Sequence, residues 1–348
     1  MKKLFSLSII AALSMCACST ATKVETTTAV NETKVEEANT VETLKAETSN
    51  EIISSVHRMS EREFSFDPTV KFIYTGTDKY LKAITEDIVK VSEEGFGGQG
   101  AVLIPTPFIV KTDDSDKSNI KVYGDFWTFG YEMNGTIFQM KNGGSYPGCY
   151  YLKEDNGNVE VIKREIAEDG SNNWPSLVKI CGGDEALARE VSNASEKDNE
   201  KVRTEYIKMY ANANNLRVSG IKDYGWPIIL FDDIDDATFM YNFYNSYFAE
   251  VREEDYLNDM PERLARLKEK YFTKELLDKI DGLTESVGAD MVINAQDVTE
   301  EMLDTLQADD YGNGNVRVSY GSGETKSVAN IKVETKNGKK LITDIAFE

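Results

Sequence analysis

KVYGDFWTFGYEM, residues 121–133, is the stretch whose reading decides the fold. Taken as an extended strand with a period of two, it places Tyr123, Asp125, Trp127, Phe129 and Tyr131 on one face, with a single carboxylate among four aromatic rings. Turn-rich DDSDKSN precedes it and Asn134-Gly135 follows it, which marks both strand ends. A long aromatic strand bounded in this way predicts a sheet at the centre of the first folded unit.

Working outward, AVLIPTPFIVK, TIFQM, CYYL and VEVIKREI read as further strands, separated by NGGSYPG and EDNGN. The glycine-rich Gly143–Gly148 segment lacks the Lys-Ser/Thr of a phosphate loop, and a hairpin connection is expected there. Upstream, Thr77 is placed to cap a helix with Leu81, Ile84, Ile88 and Val91 on one face, ended by Gly95, Gly97 and Gly98. Downstream, Glu200 to Asn214 forms a helix with Val202, Tyr206, Met209 and Ala213 on one side. Residues 64–229 therefore read as an α+β domain.

A second α+β domain, 233–348, begins at the acidic step DDIDD. One helix carries Met240, Tyr244, Tyr247 and Val251, the next Leu264, Leu267 and Tyr271, and a third Leu276, Leu277 and Ile280. NVRVSY, VANIKVETK and KLITDIAFE then alternate as strands, with Asn337-Gly338 as a two-residue hairpin turn. Strict alternation puts Leu341, Thr343, Ile345 and Phe347 on one face.

The first residues are an address rather than part of the fold. Lys2 and Lys3 precede an apolar run, Leu4 to Leu13, too short to span a membrane, so 1–17 reads as a signal peptide. Ala17 gives Cys18 the small neighbour that lipoprotein processing requires, whereas Met15 fits Cys16 poorly. Cys18 is thus the expected lipidation residue, and the membrane, reached through that anchor, an expected partner. Ser19 and Thr20 place no acidic residue beside the cysteine, and the outer membrane is the expected location. Residues 18–63, rich in Thr, Glu, Val, Ala and Lys, lack aromatic, Gly and Pro residues and read as a disordered stalk.

Composition narrows the function. With 60 acidic against 39 basic residues the chain carries a formal charge of −21, which argues against nucleic acid as a partner. Its one histidine, His57, falls in low-complexity sequence, so Ser-His-Asp and Cys-His catalysis lack a base. No metal pattern or cofactor motif stands out, and the acidic runs at Asp113–Asp116 and Asp232–Asp236 lack the spacing of a calcium loop. Cys149 and Cys181 are either a disulfide, which an exported compartment permits, or two small buried hydrophobes.

FMYNFYNSYF (239–248), LKEKYFTKELLDKID (267–281), ADMVINAQDV (289–298) and the two closing strands resemble a family of exported bacterial lipoproteins whose C-terminal domain, of unknown function, lies in the nuclear-transport-factor-two-like superfamily. KVYGDFWTFGYEMNG, NGGSYPGCYYL and AEDGSN resemble segments of other small secreted bacterial proteins, which implies a similar cone-like fold for residues 64–229. The superfamily resemblance implies a cone-like fold, a curved antiparallel sheet wrapped by helices around an open-ended cavity. Isomerases, dehydratases and proteins of purely binding or structural duty all use it.

Three functions follow as expectations. The first is a non-catalytic module that binds a small molecule or an envelope protein, with Tyr123, Trp127, Phe129 and Tyr131 as pocket residues. The second is a carboxylate-based isomerase or dehydratase, in which Asp125 is the acid or base and Tyr146 or Tyr150 donates to an oxyanion. The third is a structural envelope protein. A plainer account of Asp125 has Gly124 and Gly130 marking bulges and the carboxylate accepting backbone bonds at a strand kink. Trp174 and Trp226, both beside prolines, are core plugs or binding anchors.

Overall fold

Asp78 turns its carboxylate onto the N–H groups of Tyr80 (2.8 Å) and Leu81 (3.1 Å), and helix α1 (Lys79–Phe96) starts there. The cap is therefore Asp78 and not Thr77. A computed structural model describes residues 70–96, 101–196, 198–252 and 259–348. The expected signal peptide, the stalk and Cys18 lie outside the described residues.

Strands β1 (Val102–Asp113), β2 (Ile120–Asn134), β3 (Ile137–Gly144), β4 (Pro147–Asp155) and β5 (Asn158–Ile166) are joined by antiparallel pairings. β2, the stretch from which the reading began, is the spine. β1 lies along one of its edges; on the other, β4 pairs with residues 120–125 and β3 with 128–134. Thus β3 runs back along β2, breaks at Ser145-Tyr146, and β4 continues in the same line. Gly143–Gly148 is a kink in a pairing strand, which corrects the hairpin expected there. A reversal does come at Asn156-Gly157, whose φ values of 51° and 84° suit the two-residue turn between β4 and β5.

Gly124 and Gly130 stand beside register shifts, at Ile109/Lys111 in β1 and at Gly130/Tyr131 against β3. A Cβ at Gly124 would run into the Phe108 carbonyl, so the close approach of β1 requires glycine there.

Both faces of β2 are covered, which is why its aromatic run is continuous. On one face Ile84 and Ile88 of α1 pack on Ile120, Val122, Phe126, Tyr150 and Leu152. Helices α2 (Asn173–Ile180), α3 (Glu185–Ser192) and α4 (Asn199–Ala213) cover the other. There Leu177, Leu187 and Val191 meet Tyr123 and Cys149, while Tyr206, Ile207 and Tyr210 meet Phe129, Tyr131 and Phe138. β6 (Gly220–Lys222) adds in parallel to β3, and β7 (Ile229–Leu230) ends the sheet.

Helices α5 (Asp236–Arg252), α6 (Met260–Tyr271), α7 (Lys274–Val287) and the short α8 (Glu300–Asp304) precede a second sheet. It comprises β8 (Gln307–Asp310), β9 (Asn315–Tyr320), β10 (Ser327–Lys336) and β11 (Lys339–Phe347), in the order β11-β10-β9-β8. Asn337 and Gly338 adopt φ of 53° and 79°, the expected two-residue turn. The alternation expected for β11 fails at its middle. A register shift between Lys332 and Val333 leaves Thr343 as an extra residue, so Ile342 and Ile345 are the ones buried.

The fold is α+β with two open sheets, antiparallel except where β6 joins β3. All described elements fall within one compact unit. Among the described residues no helix is long and apolar enough to cross a membrane.

Candidate functional site

The pleat places Tyr123, Asp125, Trp127, Phe129 and Tyr131 on the face toward α2–α4, as a period of two requires. Their surroundings differ along the strand. Tyr123 is sealed beneath α2 and α3 with Cys149 and Cys181. Both cysteines are free thiols, and burial pushes Cys149 up to about 12 and raises Cys181 as well, so neither is poised to act as a nucleophile.

Asp125 is only 1% exposed and sits opposite the break between β3 and β4. The Ser145 hydroxyl (2.8 Å) and the Tyr146 backbone N–H (3.1 Å) donate to its Oδ1, and the Trp127 indole N–H donates to Oδ2 at 2.6 Å. Burial raises its pKa, against the lowering effect of hydrogen bonds from Ser145, Ser195, Trp127 and Tyr146. The carboxylate therefore closes the ladder where the strand kinks and fixes the Trp127 ring. Tyr146 reaches it through the backbone, while the Tyr146 ring packs in the cluster beneath α1, and Tyr150 lies there too.

The raised pKa has a measurable consequence. In the folded chain Asp125 holds its proton to higher pH than in the unfolded chain, so stability falls as pH rises from the ordinary carboxylate value, about 3.9, through the raised one. Urea midpoints across that window are expected to drop more for the native chain than for Asp125→Asn. Parallel pH curves would show that Asp125 ionises freely in the fold.

Trp127 and Phe129 stack at 4.8 Å with planes 8° apart, and both reach the wall of an open groove of about 1910 Å³. The groove is lined also by α4, the loop between β6 and β7, α6 and the β10–β11 turn; Asp125 and Tyr131 lie behind it. Arg203 of α4 is 3% exposed, with its guanidinium 4.3 Å from the Phe129 ring centre. It donates to the Tyr131 hydroxyl (3.0 and 2.8 Å) and, as a fork, to both Asp223 oxygens (2.6 and 2.8 Å). Burial works against its charge, but Asp223 and Tyr131 outweigh that and raise its pKa.

Asp223 opens the loop Asp223-Tyr224-Gly225-Trp226-Pro227. Its other ties are equally definite. Lys222 donates to the Trp226 carbonyl (2.8 Å) and also pairs with Glu250. Arg266 donates to the Gly225 carbonyl (3.3 Å) and lies 5.9 Å from the Trp226 ring centre. Gly225 takes φ of 71°, a left-handed turn that glycine adopts without strain. A loop held at Asp223, Gly225 and Trp226 nevertheless turns outward Tyr224, 84% exposed, and Trp226, 65% exposed.

Sequence reasoning singled out Trp127, Phe129 and Trp226, all of which line the groove, and Trp174, which does not. It passed over Tyr224, Arg203 and Asp223. Two aromatics spaced within an Asp-x-Gly-x-Pro turn were the available signal for Tyr224; a charged residue inside an amphipathic helix carries none for Arg203.

No family model matches the chain. The curated proteins likewise offer no match. Among solved structures, a protein of unknown function from Bacteroides thetaiotaomicron VPI-5482 is 28% identical over 32% of this chain and 88% of that chain, with a TM-score of 0.29.

Proposed function

We propose that the chain is an outer-membrane lipoprotein, anchored through Cys18, that works as a non-catalytic binding module with the Tyr224–Trp226 groove as its site. The observation that carries this is the outward display of two large aromatic side chains on a loop held by Arg203, Lys222 and Arg266. Large exposed rings are an expense a folded chain normally avoids, and rigid aromatics are the usual anchors of recognition surfaces. Asp125, the candidate for carboxylate chemistry, spends its oxygens on Ser145, Tyr146 and Trp127 and lies behind the groove wall. The arrangement of helices against the second sheet is in keeping with the cone-like, nuclear-transport-factor-two-like reading of 233–348, which we retain as part of the proposal.

The test is capture of envelope components and co-purifying small molecules on the membrane-anchored full chain. Three variants accompany it: Cys18→Ala, Trp226→Ala, and Tyr224→Ala with Trp226→Ala. The native chain is expected to label with palmitate and to retain a component that the loop variants lose, and Cys18→Ala is expected to take no label. Retention indifferent to both loop variants would remove the site, and an unacylated native chain would remove the anchor.

A further inference from the structure

The volume, charge and edge chemistry of the groove specify its occupant more narrowly. Pockets for single small molecules hold roughly 300–1,000 Å³. At about 1910 Å³ and open to solvent, this groove is proportioned for an extended ligand of several units.

Three kinds of extended ligand can be weighed. A polyelectrolyte seeks a field of one sign, but acidic and basic side chains line the groove in equal number, although the chain as a whole carries −21. An extended peptide adds to a free strand edge, and beside the Tyr224–Trp226 loop the edge of β7 is taken. The Tyr271 hydroxyl accepts from the Leu230 N–H at 2.7 Å and donates to the Ile228 carbonyl at 2.8 Å. A neutral oligosaccharide meets no such obstacle. Each pyranose ring offers an apolar C–H face, which flat indole and phenol rings can cover, and a rim of hydroxyls that both donate and accept. The groove supplies both partners: Trp226 and Tyr224 as exposed ring faces, and Asn199, Glu200, Lys201 and Thr204 along α4 as mixed donors and acceptors.

We infer that the groove binds a neutral oligosaccharide, with sugar rings stacked on Trp226 and Tyr224 and hydroxyls bonded along α4. This rests on the binding reading above and names its ligand class. The loop arrives pre-shaped, because the Asp223 fork and the Lys222 and Arg266 bonds hold its backbone before any ligand enters.

The experiment uses the full acylated chain in lauryldimethylamine oxide, since glycoside detergents would compete. Maltohexaose, cellohexaose, xylohexaose, mannohexaose and chitohexaose are titrated by calorimetry and tryptophan fluorescence, with a hexagalacturonate as the charged counterpart. At least one neutral hexamer is expected to bind with Kd below about 1 mM. Its affinity should fall at least about tenfold in Trp226→Ala and in Tyr224→Ala, recover in Trp226→Phe, and stay unchanged in about 0.5 M salt. Urea unfolding of each variant should match the native chain, since both side chains are exposed. The inference is overturned if no neutral hexamer binds below that limit, if Trp226→Ala binds as well as the native chain, or if hexagalacturonate binds more tightly than all the neutral sugars. Should sugars fail while capture through Trp226 still returns a component, the sugar falls and the binding module stands; should both fail, both fall.

Discussion

Replacing Arg203 by Met is expected to destabilise the protein by about 3 kcal/mol, the lower end of the cost of breaking a buried ion pair, because Asp223 keeps 20% of its side-chain surface exposed. Arg203 has a side chain 4% exposed, and its removal strands the Asp223 carboxylate and the Tyr131 hydroxyl together. Arg203→Lys should recover little, because a single ammonium cannot reproduce the fork to Asp223 while also reaching Tyr131. Arg203→Met combined with Asp223→Leu should recover much of the loss, since an apolar pair of similar volume removes the stranded charge. Urea unfolding followed by circular dichroism measures all three. A loss below about 1 kcal/mol in the single variant would mean that water relieves Asp223 and that the pair does not hold the loop.

Phe243→Ala is expected to cost about 3–5 kcal/mol, through a cavity rather than a charge. Phe243 is fully buried on α5, and its ring lies 5.7 Å from Tyr244, 5.9 Å from Tyr247, 5.5 Å from Phe272 and 6.0 Å from Tyr271, centre to centre. These neighbours come from α5 itself and from the C-terminal end of α6. Tyr244 and Tyr247 cannot swing into the gap without breaking hydrogen bonds to the Val292 carbonyl and the Asp290 carboxylate. Phe243→Leu should lose clearly less. Equal losses for the two, read from denaturant midpoints, would show that the ring contacts rather than the cavity carry the cost.

Elements with one buried face were readable from the sequence because burial imposes a period on them. α6 shows this, with Leu264, Leu267 and Tyr271 in the expected stripe, and so does the Asn337-Gly338 turn. α5 was found as a helix, but its buried residues run nearly all round, so the stripe named for it was a fragment of the truth. α2 and α3, eight residues each, were too short to declare a period at all. Bulges escaped for a different reason. An extra residue at Thr343 or a kink at Ser145 is decided by the partner strand and leaves little trace in the strand itself. At the site, the aromatic face of β2 was legible by alternation. That Asp125 would be fully engaged by Ser145 and Tyr146 was not, because those contacts join residues some twenty positions apart. In α4 the expected stripe of Val202, Tyr206 and Met209 turned so that Arg203 faces inward, because Asp223 and Tyr131 offer a charge partner that spacing along a helix cannot foresee.

The hydroxyl of Tyr271 has a consequence beyond the groove. A strand end with its amide and carbonyl free is where identical molecules begin to zip together, one copy templating the next toward insoluble fibres. Chains crowded side by side would meet at that end repeatedly. One phenolic oxygen, answering both the Leu230 amide and the Ile228 carbonyl, corks it within the molecule. At that end the sheet is closed to further strands.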